Sequence, residues 1–351
     1  MHPFSQKIIF WYEHNKRDLP WRNTRDPYLI WLSEIILQQT RVDQGMSYYL
    51  KFVGEFPTVK QLAKADNEKV MKLWQGLGYY SRARNLHTTA KIILLEHKGV
   101  FPKEFETILA LKGVGEYTAA AIASFAYNKP YAVVDGNVYR VLSRVFDIST
   151  PIDSTQGKKE FNHLAGELLD KNKPAIYNQA IMEFGAMQCK PINPYCAVCP
   201  LNTMCLAYSK KLVAELPVKS KKTKVRDRYF NYIVLNYKGK IAINKRGEKD
   251  IWTNLYDFPN IETNKEVSED DFLLSDEWNE FIKKNVFRVK SISPTYKHIL
   301  SHQKIYARFW EIDCKTAFNK LLPATAIIIK EKDIQSIAVP RLIENYLKTR
   351  T

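Results

Sequence analysis

The chain has 351 residues, 45% hydrophobic and 13% aromatic. That composition excludes a disordered chain and leaves room for two domains, each with its own core. Lys and Arg number 53 against 37 Asp and Glu, a net charge of +16. Such a balance fits a polyanionic partner, with solubility alone as the alternative. No apolar run reaches membrane-spanning length. The first residues are amphipathic, with no apolar run leading to a small-residue cleavage site. A reducing compartment is therefore expected, and the five cysteines are not read as a disulfide framework.

Apolar residues recur at helical spacing over 4–16, 28–47, 67–74, 80–97, 117–127, 136–147, 155–170 and 174–188, with Pro, Gly and Asn between them. The stretch 210–228 holds eight Lys or Arg and two acids in 19 residues, with Pro217. It reads as a solvated linker or as a basic arm lying along DNA. Short β-rich runs follow at 228–237, 240–246, 286–293 and 304–312, with helical stretches near 269–283 and 339–349. The spacing thus predicts a helical domain over 1–209, a basic linker over 210–228 and an α+β domain over 229–351.

In the first helical stretches, Glu34 has Ile30, Trp31, Leu37 and Gln38 at i−4, i−3, i+3 and i+4. Desolvation on such a face raises a carboxyl pKa and favours the protonated form that a general acid requires. A surface glutamate on an amphipathic helix is the alternative. In residues 108–123 an apolar helix runs to Leu111, Gly113 and Gly115 form a tight turn, and an Ala-rich helix begins. The turn reads as a phosphate cradle with free helical N–H groups, or as an ordinary corner with Gly at the C-cap. Twenty residues past Gly115, Asp135 opens a helix, as its N-cap or as a functional carboxylate.

Cys189, Cys196, Cys199 and Cys205 follow as C-x6-C-x2-C-x5-C within 17 residues, stiffened by Pro191, Pro194 and Pro200. Four thiolates suit a tetrahedral zinc or a [4Fe–4S] cube. One C-x2-C pair rather than two leans toward the cube. Cys314, alone, reads as a small buried hydrophobe.

The ordered set of hairpin, aspartate and cysteine loop resembles the helix-hairpin-helix superfamily of DNA glycosylases over most of residues 10–208. The cysteine spacing is similar to that of its endonuclease III and adenine glycosylase branch. Lyase members carry a lysine two residues past the second hairpin glycine, whose amine attacks C1′. Tyr117 stands there and cannot form that imine. Lys112, where the family usually has proline, remains a minor candidate nucleophile. The segments LPWRNTRDPYLIWLSEIILQQTRVDQ (19–44) and WQGLGYYSRARNL (74–86) resemble the adenine DNA glycosylase (MutY) family.

That resemblance implies a fold: an all-α helix-hairpin-helix glycosylase domain with an iron–sulfur loop, then an α+β Nudix-like domain. It also implies a monofunctional enzyme that hydrolyses adenine from duplex DNA when it is mispaired with 8-oxoguanine or guanine. Glu34 would protonate adenine N7, and ionised Asp135 would face C1′. Tyr117 and Asn137 would orient Asp135 and the sugar. Trp21 and Arg22 would line the adenine pocket, and Glu183 would contact the extruded base or the catalytic water. Gln39, Thr40, Leu77 and Tyr79 would fill the gap and read the opposite base. The backbone of Gly113, Val114 and Gly115 would hold phosphate, and the four cysteines a [4Fe–4S] cluster.

The C-terminal half resembles the Nudix-like domain of that family. DIWTNLYDFPNIE (250–262) matches its W-x-x-L-x-x-F-P segment. The acidic metal-binding box of Nudix hydrolases is absent from the sequence, which argues against a magnesium-dependent nucleotide hydrolase. YKHILSHQKI (296–305) resembles the family's F-S-H loop, with Leu300 in place of the aromatic. Ser301 and His302 would then read 8-oxoguanine. An H-x3-H metal pair of His298 and His302 is the alternative, and needs a helix. The expected molecule is a cytoplasmic, DNA-associated bacterial monomer without membrane contact. An endonuclease III-like glycosylase/lyase and a non-catalytic DNA-binding or zinc-organised module are the competing readings.

Overall fold

The computed structural model describes residues 1–220, 225–248, 251–282, 287–317, 322 and 326–350. Two compact units divide the chain, one of Met1–Lys64 with Asn85–Lys222, the other of Ala65–Arg84 with Thr223–Thr351. The division departs from the expected scheme at two places: residues 65–84 group with the C-terminal unit, and the expected linker is no separate segment, 210–220 grouping with the helical unit and 225–228 with the other.

Helices run over Pro3–Asn15 (α1), Pro27–Leu37 (α2), Val42–Glu55 (α3), Val59–Lys64 (α4), Asn67–Trp74 (α5), Ser81–Glu96 (α6), Phe105–Leu109 (α7), Glu116–Tyr127 (α8), Gly136–Phe146 (α9), Thr155–Leu168 (α10), Pro174–Met187 (α11) and Leu206–Ser209 (α12). The centre of the first unit follows from helical periodicity. Val138, Val141, Leu142 and Val145 form one buried stripe on α9. They pack among Phe161 and Leu168 of α10, Ile181 and Phe184 of α11, and Phe4, Ile8 and Tyr12 of α1. Fully burying side chains of this size contributes about 1.5–3 kcal/mol each.

The single helix predicted over 28–47 is two helices. The Thr40 N–H donates to the Leu37 carbonyl at 3.1 Å, and Gln39 takes a left-handed φ of 53°, which ends the repeat. Gln and Thr give no breaker signal of the kind Gly or Pro gives, so periodicity ran through the turn. The basic stretch 210–228 also differs from a free linker where it is described. Leu216 is buried, the Ile152 N–H donates to Val218 O at 3.1 Å, and Ser220 bonds Asp153 at 3.0 Å. Residues 221–224 of that stretch lie outside the described residues, as do 250, 283 and 286 at the ends of three other predicted segments.

The second unit is built on strands Arg226–Tyr237 (β1), Lys240–Lys245 (β2), Tyr256–Asp257 (β3), Asn260–Thr263 (β4), Phe287–Ile292 (β5), Tyr296–Ile299 (β6), Gln303–Cys314 (β7) and Ala326–Lys330 (β8). Helices Glu269–Leu273 (α13), Asp276–Ile282 (α14) and Arg341–Thr349 (α15) accompany them. The sheet order is β3-β2-β1-β7-β5, with β4 also on β1, β6 on β7 and β8 on β2. β1 and β7 are parallel, from Arg226 opposite Gln303 to Asn236 opposite Asp313.

Both faces of this central pair are covered, so residues 230–235 are buried without alternation. Ile233, Leu235, Trp310 and Ile312 pack with Phe272 and Trp278. On the other face Tyr232 stacks on Phe309 at 5.1 Å, and Phe309 on Tyr346 of α15 at 3.8 Å. The helix predicted over 269–283 is broken at Leu274 and Ser275, where the Ser275 hydroxyl accepts the Trp278 N–H at 3.2 Å. Among the described residues no helix is long and apolar enough to cross a membrane.

Candidate active site

A cavity of about 190 Å³, several times the roughly 30 Å³ share of one water, opens in the helical unit. Glu34 reaches it from α2, with Ile30 and Leu37 beside it on the lining. Only 8% of Glu34 is exposed. Burial pushes its carboxyl up to about 7; the hydrogen bond with Tyr117 and the Arg22 charge oppose this, while the Asp135 charge adds to it. Tyr117 itself is held far above the usual phenol range, chiefly by burial, so it stays a neutral donor.

Asp135 enters from the start of α9 as its N-cap. Its Oδ1 accepts the N–H groups of Asn137 and Val138 at 2.8 Å each, and its Oδ2 accepts from Asn137 Nδ2 at 2.7 Å. Burial raises its pKa, and these three hydrogen bonds work against that rise. Glu34 has no such set of N–H donors and lies in the last turn of α2, at the end of the helix that does not favour a negative charge. The proton is therefore favoured on Glu34 and the charge on Asp135.

Asn178 of α11 holds the chain entering Asp135. Its Nδ2 donates to Ser124 Oγ and Tyr131 O at 2.8 Å each, and its Oδ1 accepts the Val133 N–H at 3.1 Å. Gly185 lets α11 approach Asn137. A Cβ there would stand 2.6 Å from Asn137 Cβ and 2.8 Å from its carbonyl oxygen.

The lining also carries Glu183, 1% exposed. It accepts Arg17 Nε at 2.8 Å, Arg17 Nη2 at 2.6 Å, the Arg17 N–H at 3.0 Å and Arg22 Nη2 at 2.7 Å. Burial alone would raise its pKa; the two guanidinium groups overcome it and hold the carboxyl at about 2. Trp21 and Thr40 line the same cavity, and Trp21 packs edge-on to Tyr49 at 5.1 Å.

The cavity therefore gathers Trp21, Arg22, Glu34, Thr40, Tyr117, Asp135, Asn137 and Glu183. Sequence reasoning missed Arg17, Gln179 and Met182 on its lining. Arg17 lies just past the end of α1 and carries no periodic signal. Asn178, Gln179 and Met182 sit inside α11 and read as ordinary helix content.

Gln39 is exposed. Gly113 takes a φ of 79°, and its missing Cβ leaves room for Asn85, whose Cβ would otherwise be 2.7 Å away. Val114 is buried. Gly115 caps α8 without a side-chain hydrogen bond and faces open space, which presents the first helical N–H groups to a ligand. Lys112 is exposed, and its carbonyl accepts the Thr89 hydroxyl at 2.7 Å.

Leu77, Tyr79, Ser301 and His302 belong to the other unit. Leu77 is buried and Tyr79 is 47% exposed. Ser301 and His302 are exposed between β6 and β7, with Ser301 Oγ 3.1 Å from His302 Nδ1. His298 lies on β6, so the H-x3-H pair has no helix to present it.

Cys189, Cys196, Cys199 and Cys205 line one small cavity. Burial raises the Cys196 and Cys205 thiols and pushes Cys199 to about 11, the other thiols adding to the rise. Arg144 of α9 sets the loop path. It donates to Lys190 O at 2.7 Å, Pro191 O at 3.0 Å and Leu216 O at 3.0 Å, with Nη1 3.5 Å from Cys189 Sγ.

One turn earlier, Arg140 donates to Cys189 O at 2.7 Å, Gly185 O at 2.6 Å and Asn137 Oδ1 at 2.9 Å. A single side chain thereby joins the cysteine loop to the residue that holds Asp135. Among the described residues no group of three or more His, Cys, Asp or Glu is arranged to hold one metal ion. Four thiols around a shared apolar space suit a group with bulk of its own.

Residues 32–169 match the profile of the HhH-GPD superfamily base excision DNA repair proteins, and residues 231–349 that of the NUDIX domain. The chain is 35% identical over 312 residues to the adenine DNA glycosylase of Buchnera aphidicola subsp. Baizongia pistaciae, covering 86% of this chain and 84% of that one. It is 43% identical over 213 residues to the Homo sapiens adenine DNA glycosylase, covering 58% of this chain and 39% of that one. Among solved structures, a thermostable thymine-DNA glycosylase is similar at 32% identity and a TM-score of 0.55, covering 59% of this chain and 95% of that one.

Proposed function

Because the chain belongs to the adenine DNA glycosylase family and is a DNA glycosylase of base excision repair, we propose that it removes adenine opposite 8-oxoguanine or guanine by hydrolysis, without cutting the strand. The observation that carries this reading is the pair of buried carboxyl groups in one cavity held in different ways, Glu34 raised to about 7 on an apolar helix face and Asp135 accepting three N–H donors that oppose the effect of burial.

The adenine swings out of the stack into the cavity, at a cost of about a few kcal/mol that a mispair lowers. Glu34 gives its proton to N7. The C1′–N9 bond breaks and its electron pair leaves with the base. The Asp135 carboxylate faces the developing positive charge at C1′; water then adds there and gives its proton to the Glu34 carboxylate, which restores the acid. Tyr117 holds the place from which an amine would attack, so the imine route is closed at that position. Arg17, Arg22 and Glu183 form a fixed polar wall for the base edge, and Trp21 a flat apolar one. Asn137 orients Asp135.

On the same reading, Gln39, Thr40, Leu77 and Tyr79 read the opposite base, Ser301 and His302 meet the 8-oxoguanine face, and the Gly113–Gly115 backbone binds phosphate. Cys189, Cys196, Cys199 and Cys205, which line one cavity, would hold a [4Fe–4S] cluster, and its bonds to them would cross-link the loop. The net charge of +16 supports duplex DNA as the partner. The setting is the cytoplasm of a bacterium, and the working unit a monomer.

Single-turnover base release from a duplex with one adenine opposite 8-oxoguanine tests the reading. Breaks that need alkali, and that are absent with thymine in place of adenine, are the expected result. Breaks without alkali would overturn the hydrolytic assignment in favour of lyase chemistry.

A further inference from the structure

The turn between α5 and α6 is held in a conformation it would not keep alone. Gly76, Gly78 and Tyr79 all have left-handed backbone, at φ 93°, 77° and 46°. For Tyr79 that region is disfavoured. Part of the restraint is local. Trp74 Nε1 donates to Gly78 O at 3.0 Å, and Arg82 Nη2 to Gly78 O at 3.1 Å and Leu77 O at 3.4 Å. The Arg82 guanidinium lies over the Trp74 ring at 5.1 Å and the Tyr79 ring at 5.7 Å.

The rest of the restraint comes from the far end of the chain. The Val339 N–H donates to Gln75 Oε1 at 3.3 Å, and the Tyr80 hydroxyl donates to Val339 O at 3.4 Å while accepting the Gly76 N–H at 3.2 Å. Lys72 Nζ bridges Ile337 O at 2.9 Å and Gln75 Oε1 at 3.1 Å. Glu68 at the start of α5 accepts Tyr256 Oη at 2.7 Å and Lys245 Nζ at 3.2 Å, and Arg84 Nη1 donates to Thr253 O at 2.8 Å. Both flanks of the turn are therefore tied to the chain beyond residue 222, which is why residues 65–84 belong to the second unit.

We propose that Lys72, Gln75 and Tyr80 are positioning residues through which the backbone of Ile337–Val339 sets the Leu77–Tyr79 turn. The C-terminal chain then governs recognition of the opposite base at a second point, separate from Ser301 and His302. This rests on the reading of Leu77 and Tyr79 as the residues that meet the opposite base. Gln75 and Tyr80 act through the turn. Their loss alters the ratio of rates for the two opposite bases, and leaves the proton chemistry of Glu34 as it was.

The test uses the full chain. Single-turnover excision of adenine opposite 8-oxoguanine and opposite guanine is measured for Gln75→Ala, Tyr80→Phe, Gln75→Glu and Tyr79→Ala, each checked for folding by circular dichroism, together with the pH profile of the rate. Tyr80→Phe keeps the ring and removes only the hydroxyl. Gln75→Ala and Tyr80→Phe are each expected to lower the 8-oxoguanine-to-guanine rate ratio roughly fivefold, the size of one lost hydrogen bond, with an unchanged pH profile. Gln75→Glu keeps the acceptor for the Val339 N–H and retains the ratio. An unchanged ratio in Gln75→Ala and Tyr80→Phe, with a lowered one in Tyr79→Ala, overturns the proposal and spares the reading of the turn. An unchanged ratio in Tyr79→Ala as well overturns both.

Discussion

Glu34 and Glu183 line one cavity, 8% and 1% exposed, yet one carboxyl is raised to about 7 and the other lowered to about 2. Burial acts the same way on both. The difference lies in what each oxygen meets. Glu34 stands on an apolar helix face with a phenol for company. Glu183 is gripped by two guanidinium groups and a backbone N–H. Each shift corresponds to about 3 kcal/mol between the protonation states, with opposite sign. One carboxyl thus favours its protonated form and the other its charged form.

On the proposed mechanism the comparison breaks most severely if the Asp135 carboxylate is removed. Asp135→Asn is expected to lose roughly 10⁴-fold or more in single-turnover excision, by analogy with losses on removing a reacting group, while a gel-shift assay shows DNA binding retained. Wild-type excision rate with wild-type binding would remove Asp135 from the chemistry.

Removing the Glu34 carboxyl comes next. Glu34→Gln is expected to cost about 10²–10⁴-fold in the same assay, the usual worth of a positioned acid. In the native enzyme the rate should fall as pH rises through about 7, because the proposed mechanism uses the protonated form, and the variant should lack that fall. Because its folded pKa lies above the unfolded value, Glu34 also takes stability away as pH rises from 4.5 toward 7.

Glu183 gives the opposite sign. Its folded pKa is depressed, so its contribution of about 3 kcal/mol is present above the unfolded value and is lost as pH falls from 4.5 toward 2. Arg17→Ala leaves Glu183 with one guanidinium partner. It should lower stability by roughly 3 kcal/mol and flatten that acid limb, read by urea unfolding at several pH values. A native acid limb in the variant would show that Arg22 alone suffices.

The mildest change sharpens the contrast from the side of Asp135. Gly185→Ala places a methyl 2.6 Å from Asn137 Cβ. The shifted Asn137 is expected to slow excision on the order of 10²-fold, the cost of about 1 Å of misplacement, with little effect on the Glu183 network. Rate and acid stability measured together would tell whether the two walls are independent.

The sequence carried much of this arrangement, unevenly. Long periodic helices such as α9 and α11 were legible because their buried stripes repeat at 3, 4 and 7. Glu34 and Asp135 were found through motif context, and their shared cavity appears only in three dimensions. The break after Leu37 was illegible because a left-handed Gln and a local hydrogen bond leave no compositional trace. Strands of two to five residues such as β3, β4, β6 and β8 are too short to show alternation. Arg17, Arg140, Arg144 and Asn178 escaped for one reason: each works through a contact to residues more than 40 positions away. A polar side chain inside a helix looks the same from sequence whether it meets water or a distant carbonyl.

The parallel pairing of β1 with β7 has a practical side for anyone trimming this chain. β1 is made early, at residues 226–237, while its neighbour arrives only at 303–314. A fragment that stops between the two would carry Phe230, Tyr232, Ile233, Val234 and Leu235 along an open strand edge, with donors and acceptors unmatched. Such an edge recruits copies of itself, so soluble fragments should end before Arg226 or run past Cys314.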